Sequence, residues 1–183
     1  MSFLKQEELE KIGFKFLGKN VLISDKCSIY NPKNISIDDN TRIDDFSIIS
    51  AGDGGIVLGK YVHIACYSSL IGRAKITMKD FSGVSSRVSV YSSSDNYDGE
   101  WMTNPCLPNN VTNTIHKDVI IGKHVVVGSN SVVLPGVTLF DGCSIGAMSL
   151  VNKSVDGQYV MVGIPIKKIK DRKSNIFNLE NKI

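Results

Sequence analysis

Residues 121–155 read IGKHVVVGSNSVVLPGVTLFDGCSIGAMSLVNKSV. Divided into sixes, the stretch opens every block on an aliphatic residue: Ile121, Val127, Val133, Leu139, Ile145 and Val151. Glycine follows in Ile121-Gly122, Val127-Gly128 and Ile145-Gly146. A small or β-branched residue recurs four places after the opener, at Val125, Ser131, Val137, Cys143 and Ser149. A helix needs apolar residues at i, i+3, i+4 and i+7, and a plain strand alternates. A sustained period of six satisfies neither. It fits a solenoid of short strands, each with its opener pointing inward and a tight turn after it. Glycine is expected where the backbone bends or where a Cβ would clash. Three strands close one coil, so openers three blocks apart should stack along the axis.

Upstream the same pattern is less regular. Ile23 and Ile29 begin it; Ile37, Ile43 and Ile49 follow, then Leu58, Ile64 and Leu70, then Met78, Val84 and Val90. Ile23, Ile37, Leu58 and Met78 are read as the first openers of successive coils, with insertions and deletions absorbed at corners such as 51–55. Leu4, Leu9 and Ile12 among Lys and Glu predict a short amphipathic helix ending at Gly13. Such a helix covers the first apolar layer of the stack. The expected organisation is a capping helix over 1–13, the solenoid over 14–155 with a loop at 96–118, and a closing segment over 156–183. Residues 169–179 are read as a last helix.

The period vanishes over 96–118, NYDGEWMTNPCLPNNVTNTIHKD. A loop of that length inside a compact domain is usually functional. Trp101, Met102 and Leu107 are its expected apolar anchors.

Composition narrows the classes. The chain has 183 residues, 42% hydrophobic and 21% charged, which suits one globular domain with small appendages. A net charge of +3 is too mild to argue for nucleic acid, and no apolar run is long enough to span a bilayer. The start, MSFLKQEELEKIG, has acids where a signal peptide needs an apolar core. Cys27, Cys66, Cys106 and Cys143 form no CxxC; Cys27 and Cys143 occupy small-residue positions of the repeat and read as buried thiols in a reducing cytoplasm.

The run at 121–155 resembles the hexapeptide-repeat acyltransferases. The resemblance implies an all-β fold, a left-handed parallel β-helix with a short N-terminal helix, a long loop excursion and a C-terminal helix. It also implies a homotrimer whose inter-subunit cleft joins the loop of one chain to the flank of the next. Val162-Gly163-Ile164-Pro165-Ile166-Lys167 is similar to the V-G-x-P-A-[KR] segment that closes the helix in galactoside, maltose and xenobiotic acetyltransferases, with Ile166 for the usual alanine. By that likeness acetyl-CoA is the cosubstrate. Its pantetheine arm would lie along small residues such as Ser129, Gly146 and Ala147. Lys153 and Lys167 would face its phosphates, and Pro165 its adenine.

The sugar enzymes of this type place a histidine just before the long loop as base for a sugar hydroxyl. Asp95 stands there in this chain. A carboxylate of ordinary pKa, about 4, is a weak base for a hydroxyl, so the exchange shifts weight toward an amine acceptor or a base drawn from elsewhere. The chain also resembles a subgroup that carries V-H-I-A, here Val62-His63-Ile64-Ala65, together with a loop like residues 93–105. That likeness implies His63 or Asp95 as the catalytic group and Asn96, Tyr97, Glu100, Trp101 and Asn104 as a sugar clamp. His116 is expected to face solvent and His124 to point outward from a turn. The functional expectation is acetyl transfer to a hydroxyl or amine of a sugar or nucleotide-linked sugar, as in surface polysaccharide synthesis. One alternative is a γ-carbonic-anhydrase-like metal hydratase. It is disfavoured because His116 and His124 are eight residues apart and His63 lies coils earlier, so no metal is expected. The other is a non-catalytic scaffold.

Overall fold

The computed structural model describes residues 2–183. They form a parallel β-solenoid with three faces. The first face carries Phe16–Leu17, Ile35–Ile37, Ile56–Leu58, Ile76–Met78, Val119–Ile121 and Thr138–Leu139. The second carries Leu22–Ile23, Arg42–Ile43, His63–Ile64, Gly83–Val84, Val126–Val127, Ser144–Ile145 and Tyr159–Val162, with Lys167–Asp171 added antiparallel at its edge. The third carries Ser28–Tyr30, Ile48–Ala51, Ser69–Gly72, Ser89–Tyr91, Val132–Val133 and Leu150–Val151.

The period of six predicts the register. Ile121 pairs with Leu139, Val127 with Ile145 and Val133 with Val151, each three blocks apart. Every opener of that run is buried, and so are Val125, Ser131, Val137, Cys143 and Ser149. The prism is filled by these side chains and by their counterparts upstream, so the core is continuous from end to end. One expectation is shifted by a strand. Ile37, Leu58 and Met78 do stack, but Ile23 pairs with Ile43 on the second face. The first coil opens instead at Leu17, opposite Ile37. Its hexad is hard to see because Phe16 and Leu17 follow the helix so closely.

Helix α1 spans Gln6–Ile12 and ends at Gly13, whose φ is 81°. Its Leu9 is buried among the core side chains. At the other end the outcome differs from the expected helix. Lys167–Asp171 is a strand against Tyr159–Val162, and only Ile176–Leu179 forms helix α2. The physical reason is the edge: without Lys167–Asp171 the second face would end in unpaired backbone groups.

Bends are made in two ways. Gly55, at the expected 51–55 corner, has φ 79°. Gly136 and Gly142 turn in the same way, and at many other corners the left-handed position is taken by non-glycine residues, among them Tyr61, Phe81, Arg87, His124, Asn130 and Met148. The glycine after an opener serves close approach: a Cβ on Gly128 would stand 2.4 Å from the amide nitrogen of Ala147.

The 96–118 segment leaves the third face after Tyr91 and is ordered. Ser93–Ser94 pairs antiparallel with Ile115–His116, and a 3-10 turn covers Asn109–Val111. Trp101 and Met102 do not anchor it to the prism: they are 40% and 56% exposed. Leu107 is partly covered.

Candidate active site

The second face presents a row of outward residues in register: Leu22, Arg42, His63, Gly83, Val126, Ser144 and Val160. His63 is half exposed on this row, and its Nε2 lies 2.9 Å from Oδ2 of Asp44. Asp44 comes one residue after the strand below, and its side chain is only 9% exposed. Burial alone would raise its carboxyl. The hydrogen bonds from Arg42 Nε, at 2.6 Å, and from His63, with their charges, outweigh that and hold it below the ordinary carboxylate range. Asp44 therefore stays ionised and holds the imidazole through Nε2 at the edge of a groove. That groove, about 350 Å³, runs from His63 past Ala65, Ser85 and Ser86 to Ser129.

From His63–Ile64 onward, the residue one place past each buried opener of the second face forms a column along the axis: Ala65, Ser85, Gly128, Gly146 and Val162. All but the last are small, which leaves an open track along one corner. Ser129 borders it, and Ala147 follows Gly146 and is exposed. Lys167 pairs with Val162, so its exposed side chain stands at the far end of the same column, with exposed Pro165 nearby. Lys153 is exposed too, but it follows Val151 and so lies at the next corner, beyond the third face.

A second and larger hollow, about 990 Å³, opens between the third face and the loop. Asp95, Tyr97, Asn104, Thr114 and His116 meet there with Arg73 and Tyr91 of the third face. Asp95 is half-buried at the point where the loop leaves its short hairpin. The Asn96 side chain and the Glu100 backbone serve the loop's own architecture. Asn96 donates from Nδ2 to Asp98 at 2.8 Å, and the Glu100 amide donates to Asp98 Oδ1 at 2.9 Å. Trp101 is exposed outside the hollow. Within one chain, then, Asp95 gathers with Tyr97 and Asn104, while His63 lines a different groove on a different face.

The remaining histidines have partners of their own. His116 is exposed, as expected, with Nδ1 2.8 Å from the hydroxyl of Ser93. His124 departs from expectation: its side chain is only 10% exposed. Its ring stacks on Phe81, meets Phe177 edge-on, and bonds Glu180 through Nε2 at 2.9 Å. Among the described residues the histidines form no metal-holding cluster with Cys, Asp or Glu. Asp44, Ser85 and Ser86 carry no signal of their own in the sequence. Asp44 in IDDFS looks like one more turn acid, and only its register beneath His63 distinguishes it. Cys143 is buried, Cys27 partly so; burial raises these thiols to about 11 and about 12, so neither is a ready nucleophile.

Comparison with known proteins adds to this geometry. Residues 114–153 match the family model described as bacterial transferase hexapeptide (six repeats). The chain is 49% identical to a dTDP-4-amino-4,6-dideoxy-D-glucose acyltransferase of Escherichia coli, over 99% of its own length and 94% of the relative's. Among solved structures it resembles AntD, an N-acyltransferase from Bacillus cereus, in complex with dTDP and 3-hydroxybutyryl-CoA. The TM-score is 0.93 at 48% identity, covering 99% of this chain and 95% of that one. A point variant of AntD in complex with dTDP-4-amino-4,6-dideoxyglucose and coenzyme A superposes with a TM-score of 0.95 at 47% identity, covering 99% and 96%.

Proposed function

Because the chain belongs to the hexapeptide-repeat acyltransferases, we propose that it acylates the amine of a nucleotide-linked 4-amino-4,6-dideoxyhexose. It is an acyl-CoA-dependent sugar acyltransferase. The observation that carries the finer reading is the near-complete relationship, at 49% identity, to an enzyme named for such an aminosugar. The hollow beside Asp95 supports it, being large enough for a sugar and part of its nucleotide.

The reaction needs little from the protein beyond placement. The neutral amine attacks the thioester carbonyl, a C–N bond forms, and the C–S bond breaks. The sulfur leaves as thiolate and takes up the proton that the nitrogen sheds. Asp95 orients the amine and receives that proton on its way to sulfur. Tyr97 and Asn104 hold the acceptor from the walls of the hollow, while Asn96, Glu100 and Trp101, which do not line it, act only through the shape of the loop. Pantetheine lies in the small-residue column past Ser129, Gly146 and Ala147. Its phosphates face Lys167, with Pro165 against the adenine; Lys153, at the neighbouring corner, approaches a cofactor held mostly by another chain.

The separation of His63 from Asp95 supports a homotrimer, in which one chain's loop hollow faces the next chain's His63 groove. The His63–Asp44 pair favours a second reading, transfer to a hydroxyl, because an imidazole fixed by a carboxylate is the stronger base for it. The free cysteines and a CoA donor support a cytoplasmic setting.

The test incubates purified protein with dTDP-4-amino-4,6-dideoxyglucose, or its 4-hydroxy counterpart, and acetyl-CoA or 3-hydroxybutyryl-CoA. Thiol release and product mass are read. Amide product from the amino sugar is expected. Release only with the hydroxy sugar favours the second reading, and no release with either sinks both.

A further inference from the structure

Of the sixteen glycines in the chain, every one but Gly83 has a conformational or steric reason to be glycine. Each of the others either has φ in the left-handed region or would bring a Cβ within 3.0 Å of another atom. Gly83 has neither. A Cβ there would meet the His63 carbonyl oxygen at 3.4 Å and the His63 Cβ at 3.8 Å, ordinary contact distances. The fold would accept alanine, so what glycine supplies at this position is space.

That space lies at a junction. Gly83 sits on the outer side of the second face, in register between His63 and Val126. Two hollows meet over these three residues. One, about 350 Å³, continues around the corner past Ser85 and Ser86 to Ser129. The other, about 340 Å³, continues the opposite way to Tyr61, Phe81, His124 and Ile176. The far recess is mostly apolar and its wall is braced: Tyr61 stacks on Phe81 with ring centroids 5.0 Å apart, and Phe81 stacks on His124 at the same distance. Any side chain at 83 would rise between His63 and Val126 and divide the two.

We infer that Gly83 sets donor specificity. Its bare backbone lets an acyl chain longer than acetyl cross between His63 and Val126 and end in the recess against Tyr61, Phe81 and Ile176. The inference rests on the reading that CoA lies in the small-residue column, with its thioester on the Ser85 side. An acetyl methyl would not reach the junction and would gain nothing from the missing side chain.

The test compares wild type, Gly83→Ala and Gly83→Val with 3-hydroxybutyryl-CoA and acetyl-CoA, using one aminosugar nucleotide as common acceptor. The readout is the ratio of kcat/KM for the two donors. A pocket changed by a methylene or two alters discrimination by about tenfold or more. The ratio is therefore expected to fall at least about tenfold in Gly83→Val, with Gly83→Ala between. A ratio that stays constant, including a parallel loss with both donors, overturns the inference. Thermal melting checks that the variants fold; should valine prevent folding, Gly83→Ala carries the comparison. A wild type that consumes neither thioester overturns the function proposed above, and this inference with it.

Discussion

At the scale of single residues, the repeat glycines separate into those that a Cβ would crowd or strain and one that it would not. A Cβ on Gly128 would stand 2.4 Å from the Ala147 nitrogen, which cannot yield without moving a coil. Gly128→Ala is therefore expected to cost about 1–3 kcal/mol by overpacking, read as a lower urea midpoint, whereas Gly83→Ala should melt near wild type. The bends are harder to read in the sequence than the strands: Asn130, His124 and Met148 hold the left-handed φ, not the glycines before them. Nothing in the letters separates a glycine that turns from one that makes room. Asp44 is a similar case. Its carboxyl is held below the ordinary range by Arg42 and His63, so it stabilises the native state above the unfolded pKa, about 3.9. That contribution is lost as pH falls through the lower, folded pKa. Wild type should thus lose stability below about pH 4 more steeply than Asp44→Asn, a difference visible in melting curves taken from pH 3 to 7, roughly the span over which carboxylates titrate.

Among elements, the C-terminal segment is the one whose form the sequence leaves open. Lys167-Lys168-Ile169-Lys170-Asp171 has one apolar residue, and neither a strand nor a helix period shows in so short a run. The open edge of the second face decides for a strand. The chain beyond this strand is tied down by polar contacts. Arg172 Nη1 donates to the carbonyls of His124 at 2.8 Å and Cys143 at 2.9 Å. Arg172→Ala strands those acceptors under α2 and should cost about 2 kcal/mol, as for a lost charged hydrogen bond. Glu180 binds Lys123 and His124, and these hold its carboxyl below the ordinary range. Its contribution is present above about pH 4.3, the unfolded value, and fades on acidification. Limited proteolysis should release residues after 172 faster at pH 3.5 than at pH 7, roughly either side of that titration, and Glu180→Gln should flatten the difference.

At the scale of the whole molecule, the solenoid is legible in the sequence because a single rule repeats through it. The period of six in 121–155 carries strand length, burial and register together, and all three appear. The site is legible only in parts. Asp95, Tyr97 and Asn104 are near in sequence and meet in one hollow. His63 and Ser129 are far apart in sequence and share another groove, through stacking of coils. Within one chain the two hollows lie on different faces. If they face each other across subunits, His63→Ala and Asp95→Ala should each be impaired alone, yet regain activity when unfolded together and refolded as mixed trimers. No recovery, or a monomer by sedimentation, would place the reaction within one subunit.

The 96–118 excursion begins and ends almost at one spot. The amide of Lys117 bonds the carbonyl of Ser92 at 3.1 Å, and Val119 then pairs with Ile76 as though nothing intervened. Such a detour is a cassette: its length and lettering can change while the frame beneath keeps its stacking. If the loop holds the acceptor as proposed, lineages built on this frame can exchange the guest that receives the acyl group without retuning the track that delivers it.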